Sequence, residues 1–61
     1  MSSTYQKLQE TEDMPPMARS LAQQYQALAH TIEAAVPEHP DKEVAFRFLL
    51  ESRHALARAL S

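Results

Sequence analysis

The chain has 61 residues, 23% charged and 44% hydrophobic, with a net charge of -2 and neither glycine nor cysteine. This excludes disulfides, thiolate metal sites, glycine-rich phosphate loops and the basic field of a non-specific nucleic-acid binder. It leaves one small domain that buries only about 60% of its unfolded surface, for which association is the remaining source of added stability.

Residues 1–13 read as an N-terminal arm, polar at first and acidic toward Glu10, Glu12 and Asp13. Its opening, Met1-Ser2-Ser3-Thr4, lacks the basic stretch and apolar core of a secretory signal, and no apolar run approaches the roughly 20 residues of a membrane span. A cytoplasmic setting is therefore expected. Tyr5 and Leu8, three apart, fit one side of a short helical turn; the arm either frays or docks on the body. Met14-Pro15-Pro16 marks a boundary, because proline suits the first turn of a helix, and Asp13 is a candidate N-cap. From there Ala18, Leu21, Tyr25, Leu28, Ile32 and Ala35 alternate spacings of three and four, and Ala22, Ala29 and Val36 widen the stripe. The pattern predicts an amphipathic helix from about 16 to 36 with Arg19, Gln23, Gln26, His30 and Glu33 on its wet face. Tyr25 on the seam is expected in the core with its hydroxyl at the edge.

Val36-Pro37-Glu38-His39-Pro40-Asp41 breaks the pattern, since each proline disfavours helical geometry at the residue before it. A second helix is predicted from Pro40 or Asp41, with Asp41 and Glu43 at the positive end of its dipole and Arg58 at the negative end. Domain 14–61 thus reads as an all-α antiparallel helical hairpin, preceded by a short N-terminal arm or helix. Val44 to Leu60 carries an unusual apolar load. At 100° per residue its apolar side chains sweep from about 0° to about 240°, leaving only Arg47, Glu51, His54 and Arg58 for solvent. One partner helix covers an arc of about 100°, so two neighbours are expected, of which the chain supplies one. The other is expected from an oligomer. Arg53 falls in the middle of the apolar arc, at about 180°.

Little here suits catalysis. The serines at 2, 3, 20, 52 and 61 lack a base and orienting group, and His54 near Glu51 or Arg58 is an ordinary surface pairing. No enzyme activity and no cofactor are expected. His30, His39 and His54 are scattered, and Glu38, His39 and Asp41 fit a solvated loop better than a metal site. Arg53 has two readings. It lies at an interface edge or pairs with a neighbouring chain's carboxylate, which spacing alone favours, or it grips a phosphate between chains. Tyr5 with Lys7 offers an aromatic face and a cation, a weak signal for a nucleotide.

Leu28-Ala29-His30-Thr31-Ile32, Val36-Pro37, Ala45, Leu49-Leu50-Glu51-Ser52-Arg53 and Ala57-Arg58-Ala59-Leu60 carry a further likeness. Over about residues 17–60 the chain resembles the helical-hairpin domain of phage nucleotide-signal sponges, the anti-CBASS and anti-Thoeris proteins. Their pattern is a first helix of the type LAxxI, a proline-containing loop and a second helix of the type AxxxLEEARxWAxxAI. Here Ser52 replaces the alanine of the EEAR element and Ala55 the tryptophan.

The resemblance implies a non-catalytic protein in the bacterial host cytoplasm. It would sequester cyclic oligonucleotides or cyclic ADP-ribose isomers in pockets between the protomers of a homo-oligomer, a hexamer rather than a dimer. By the same resemblance Tyr5 would stack on a base and Arg53 would hold phosphate, with Arg19 a further basic position. Lys7 and Arg58 complete the candidate ligand-binding set, and no long nucleic acid or membrane is expected as a partner. A helical dimerisation or adaptor module without a small ligand is the alternative. A helix-turn-helix DNA binder ranks below both, because neither helix has a basic face.

Overall fold

The computed structural model describes residues 3–11 and 14–60, so the expected cap at Asp13 lies outside the described residues. Three helices follow one another: α1, Ser3–Gln9; α2, Pro16–Ala35; and α3, Pro40–Leu60. Among the described residues no helix is long and apolar enough to cross a membrane. The molecule measures 35 × 16 × 15 Å.

Prolines set the ends of α2 and α3, as their chemistry requires. Pro16 and Pro40 stand first in their helices, where a missing N–H costs nothing. Val36 is extended, with φ -103° and ψ 126°, because Pro37 follows it, and its N–H closes α2 on the Ile32 carbonyl at 2.9 Å. His39 opens α3 by accepting the Asp41 N–H at Nδ1, at 3.0 Å. α2 and α3 run in opposite directions: Lys42 reaches Glu33, Tyr25 reaches Ser52, and Ala57 packs on Met14, Ala18 and Ala22.

α1 is too short to persist alone, since helices under about 12 residues are marginal in water. Docking holds it. Leu8 is fully buried in one apolar cluster with Ala29 and Phe46, flanked by Tyr5, Tyr25, Ile32, Leu49 and Leu50. Gln9 and Gln26 each donate a side-chain N–H to the other's backbone carbonyl, at 3.2 and 3.1 Å, and the Thr4 hydroxyl donates to Glu43 at 2.7 Å. The arm therefore docks over residues 3–9.

This docking changes two expectations. The second neighbour of α3 comes from the chain itself, because α1 packs on both α2 and α3. The inner face of α2 is also rotated. Ala18, Ala22 and Ala29 are buried, whereas Leu28 is 50% exposed and Ala35 lies in solvent. Alanines occupy the inner line because α2 meets helices on two sides there, and a small side chain allows both backbones to approach.

The inner line of α3 is Lys42, Phe46 and Arg53, spaced four and seven apart. Two cations on a buried face demand partners, and each finds them at the C-terminal end of an earlier helix. Lys42 Nζ donates to the carboxylates of Glu33 at 2.7 Å and Glu38 at 3.0 Å, and to the carbonyls of Val36 at 2.7 Å and Glu33 at 3.4 Å. The Glu33 carboxylate is the main influence raising the Lys42 pKa above its ordinary 10.5; burial opposes it, and Glu38 adds to it. A folded-state pKa above the unfolded one stabilises the fold fully below about pH 10.5, and the contribution is lost as pH rises through the folded value. Lys42→Met is therefore expected to melt below wild type at neutral pH, with the gap closing under strong alkali. Melting curves from pH 7 upward check this; a gap constant across the range contradicts it.

Candidate functional site

Arg53 is the centre of the polar architecture. It is 4% exposed, on the face of α3 turned toward α1. Its guanidinium donates from Nη1 to the carbonyls of Glu10 at 2.9 Å and Leu8 at 3.3 Å, and from Nη2 to that of Lys7 at 3.0 Å. These are carbonyls at and just beyond the last turn of α1, where intrahelical donors run out; that of Lys7 also accepts the Glu10 N–H at 3.2 Å. A planar fork can serve several acceptors at once, whereas an ammonium offers one point. The buried Nε has no acceptor among the described residues. In this chain Arg53 is thus occupied in fastening α1, and its guanidinium is not presented to solvent.

Tyr5 lies half-buried one turn before Leu8. Its ring sits 5.5 Å from that of Phe46 at 45°, and its hydroxyl is 3.3 Å from His30 Nδ1. Lys7 is exposed in the last turn of α1. Arg19 is exposed at the start of α2, where its Nε donates to the Met14 carbonyl at 3.2 Å. Arg58 is exposed in the last turn of α3, which lies beside the start of α2. The structure thus joins Tyr5, Lys7 and Arg53 through α1 and places Arg19 and Arg58 toward the end of the molecule where α2 begins. It does not bring all five to one pocket within a chain.

An open groove of about 350 Å³ runs between α2 and α3, lined by Leu21, Gln24, Tyr25, Leu28 and Leu56. None of the five candidates lines it. Tyr25 lines the groove, with its hydroxyl 2.6 Å from Ser52 Oγ. Among the described residues no group of three or more acidic or histidine side chains is placed to hold a metal ion. His39 lies 3.8 Å from Asp41, and His54 lies 3.9 Å from Glu51, both on the surface.

Two roles had escaped the sequence reading. His30 is the partner of Tyr5, which nothing in a solvated-face position signals. Lys42 clasps the end of α2, and a signal for it exists: it extends the Phe46–Arg53 line backward by one helical turn.

The class these features define is a small protein of three α-helices with two internally clasped cations. Compared with protein-family models, curated proteins and solved structures, the chain matches none.

Proposed function

We propose that this protein is a non-catalytic, self-associating helical hairpin that sequesters cyclic nucleotide signals in pockets between its copies. This would make it an antagonist of bacterial anti-phage defence, acting in the host cytoplasm. The resemblance over residues 17–60 supplies the ligand class. The observation that supports the mechanism is the docking of α1. A frayed arm would have to be ordered at the moment of binding, at an entropic cost, whereas a docked one presents its aromatic ring and cation already positioned. Tyr5 is the stacking group and Lys7 the nearest cation, with Arg19 and Arg58 supplying charge from other copies. Arg53 acts as a positioning residue that holds the arm, in place of the phosphate contact carried by the resemblance. A chain of net charge -2 with local cations repels long nucleic acid and admits a small cyclic anion.

Calorimetric titration with cyclic di- and trinucleotides and with cyclic ADP-ribose isomers tests this. Micromolar binding to at least one of them is expected, weakened about tenfold in Tyr5→Ala, because stacking on an aromatic side chain contributes roughly 1–3 kcal/mol per base. Tyr5→Phe keeps the ring and removes the hydroxyl that meets His30, so it should bind nearly as wild type. No binding to any of these ligands overturns the reading. The second reading, an adaptor module without a small ligand, is favoured by one observation: the uncharged lining of the α2–α3 groove.

A further inference from the structure

The apolar arc of α3 is not used up by α1 and α2. The buried centre lies at about 180° on the helix, and the sector from about 20° to about 100° remains outside it. Ala45, Phe48, Ser52, Ala55 and Ala59 occupy that sector, all exposed, with Phe48 at 71%. They follow one another at spacings of three, four, three and four, the seam of a helix that packs along its length on another helix. No member is charged, and the one polar side chain, Ser52, already has the Tyr25 hydroxyl at 2.6 Å. On its flank the stripe runs into the groove lined by Leu21, Leu28 and Leu56.

The stripe has an internal symmetry that selects its occupant. Ala45 and Ala59 each stand seven residues from Ser52, and Phe48 and Leu56 each stand four. Two copies of α3 laid antiparallel about Ser52 therefore set Phe48 of each against Leu56 of the other, a ring against a branched side chain at the groove. Alanine meets alanine at the ends. A self-complementary patch of this kind is what a twofold contact requires. Its size reaches what is needed once the groove is included: the whole α2–α3 side of a unit 35 × 16 Å offers about 500 Å² per copy, or about 1,000 Å² in all, the lower bound for a specific interface.

We propose that Ala45, Phe48, Ser52, Ala55 and Ala59, with the adjoining α2–α3 groove, form the contact through which two copies of this chain pair, α3 antiparallel to α3 about Ser52. The proposal takes up the self-association of the reading above and assigns it a face; it needs no nucleotide.

Native mass measurement and sedimentation decide it. At about 100 μM, well above the micromolar dissociation constant of a small interface, the wild type should run as a dimer or a multiple of one. Phe48→Lys should run as a monomer with unchanged helicity, since the ring it replaces lies in solvent within one chain. Ser52→Cys, the sole cysteine in its chain, should form a covalent dimer on mild oxidation, whereas Arg47→Cys on the opposite side of α3 should not. A monomeric wild type, an assembly unchanged by Phe48→Lys, or equal cross-linking of the two cysteine variants overturns the proposal. A wild-type dimer lost in Phe48→Lys, in a protein that binds none of the nucleotides, supports this face and removes the sponge function. An assembly unchanged by Phe48→Lys, in a protein that binds a cyclic nucleotide, does the reverse.

Discussion

Arg53→Ala is expected to release α1 from the body and to cost about 3 kcal/mol, most of what a domain of this size has to spare. The guanidinium gives three hydrogen bonds to the carbonyls of Lys7, Leu8 and Glu10, and a methyl group gives none. A charged donor to a carbonyl contributes roughly 1.5–3 kcal/mol, and a buried carbonyl left without one loses a similar amount. The total does not simply add, because α1 can undock and give those carbonyls to water. The cost is capped at the free energy of docking α1, which includes the burial of Leu8. Amide exchange should show loss of protection over Ser3–Gln9, alongside a lower urea midpoint for the rest. Arg53→Lys keeps the charge but offers one point in place of a fork, so it should recover less than half of the loss. Unchanged protection of α1 in Arg53→Ala would show that apolar docking alone holds the arm.

Phe46→Ala is the second large effect, about 3–5 kcal/mol. Phe46 is 1% exposed and joins all three helices: it packs with Leu8 of α1 and Ala29 of α2, and its ring lies 5.5 Å from that of Tyr5. The cavity cannot close readily, because Ala29 has no bulk to move into it. The variant should lose its cooperative melting transition, or show it far below the wild-type temperature. Phe48, two residues on, is the control. It is 71% exposed, so Phe48→Ala should change the stability of a single chain by no more than about 0.5 kcal/mol when measured at low concentration. Equal losses from the two substitutions would mean that the inner face of α3 is wrongly placed.

The contrast between these phenylalanines shows what could be read in advance. Both lie in the apolar sweep of α3, which periodicity alone marked as one broad arc, and only docking of α1 and α2 divides it into a buried and an exposed half. α2 teaches the same lesson. Ala18 heads the expected seam and Ala22 and Ala29 lie at its edge, yet these three alanines are deepest, whereas Leu28 in the seam is 50% exposed. Side-chain size ranks the area available for burial, not the closeness with which two backbones approach. The candidate site was partly legible. Tyr5, Lys7 and Arg53 stand out by chemistry, but their connection through α1 does not; Lys42 is marked only by its place on the Phe46–Arg53 line, and His30 by nothing until Tyr5 is in place.

By itself the sequence determined the two long helices, α2 and α3, and the breaks between the elements. Prolines at 16, 37 and 40, the absence of glycine and the three-and-four spacing act within a few residues of themselves, so no tertiary contact is needed to read them. The tertiary structure decided whether residues 3–9 are ordered, which side of α2 is the inside, and what Arg53 does. The carbonyls that Arg53 serves lie 43 to 46 residues away along the chain. A buried cation's partner is set by which helix end is folded against it, and backbone carbonyls, alike at every position, leave no trace of that choice in the order of the amino acids.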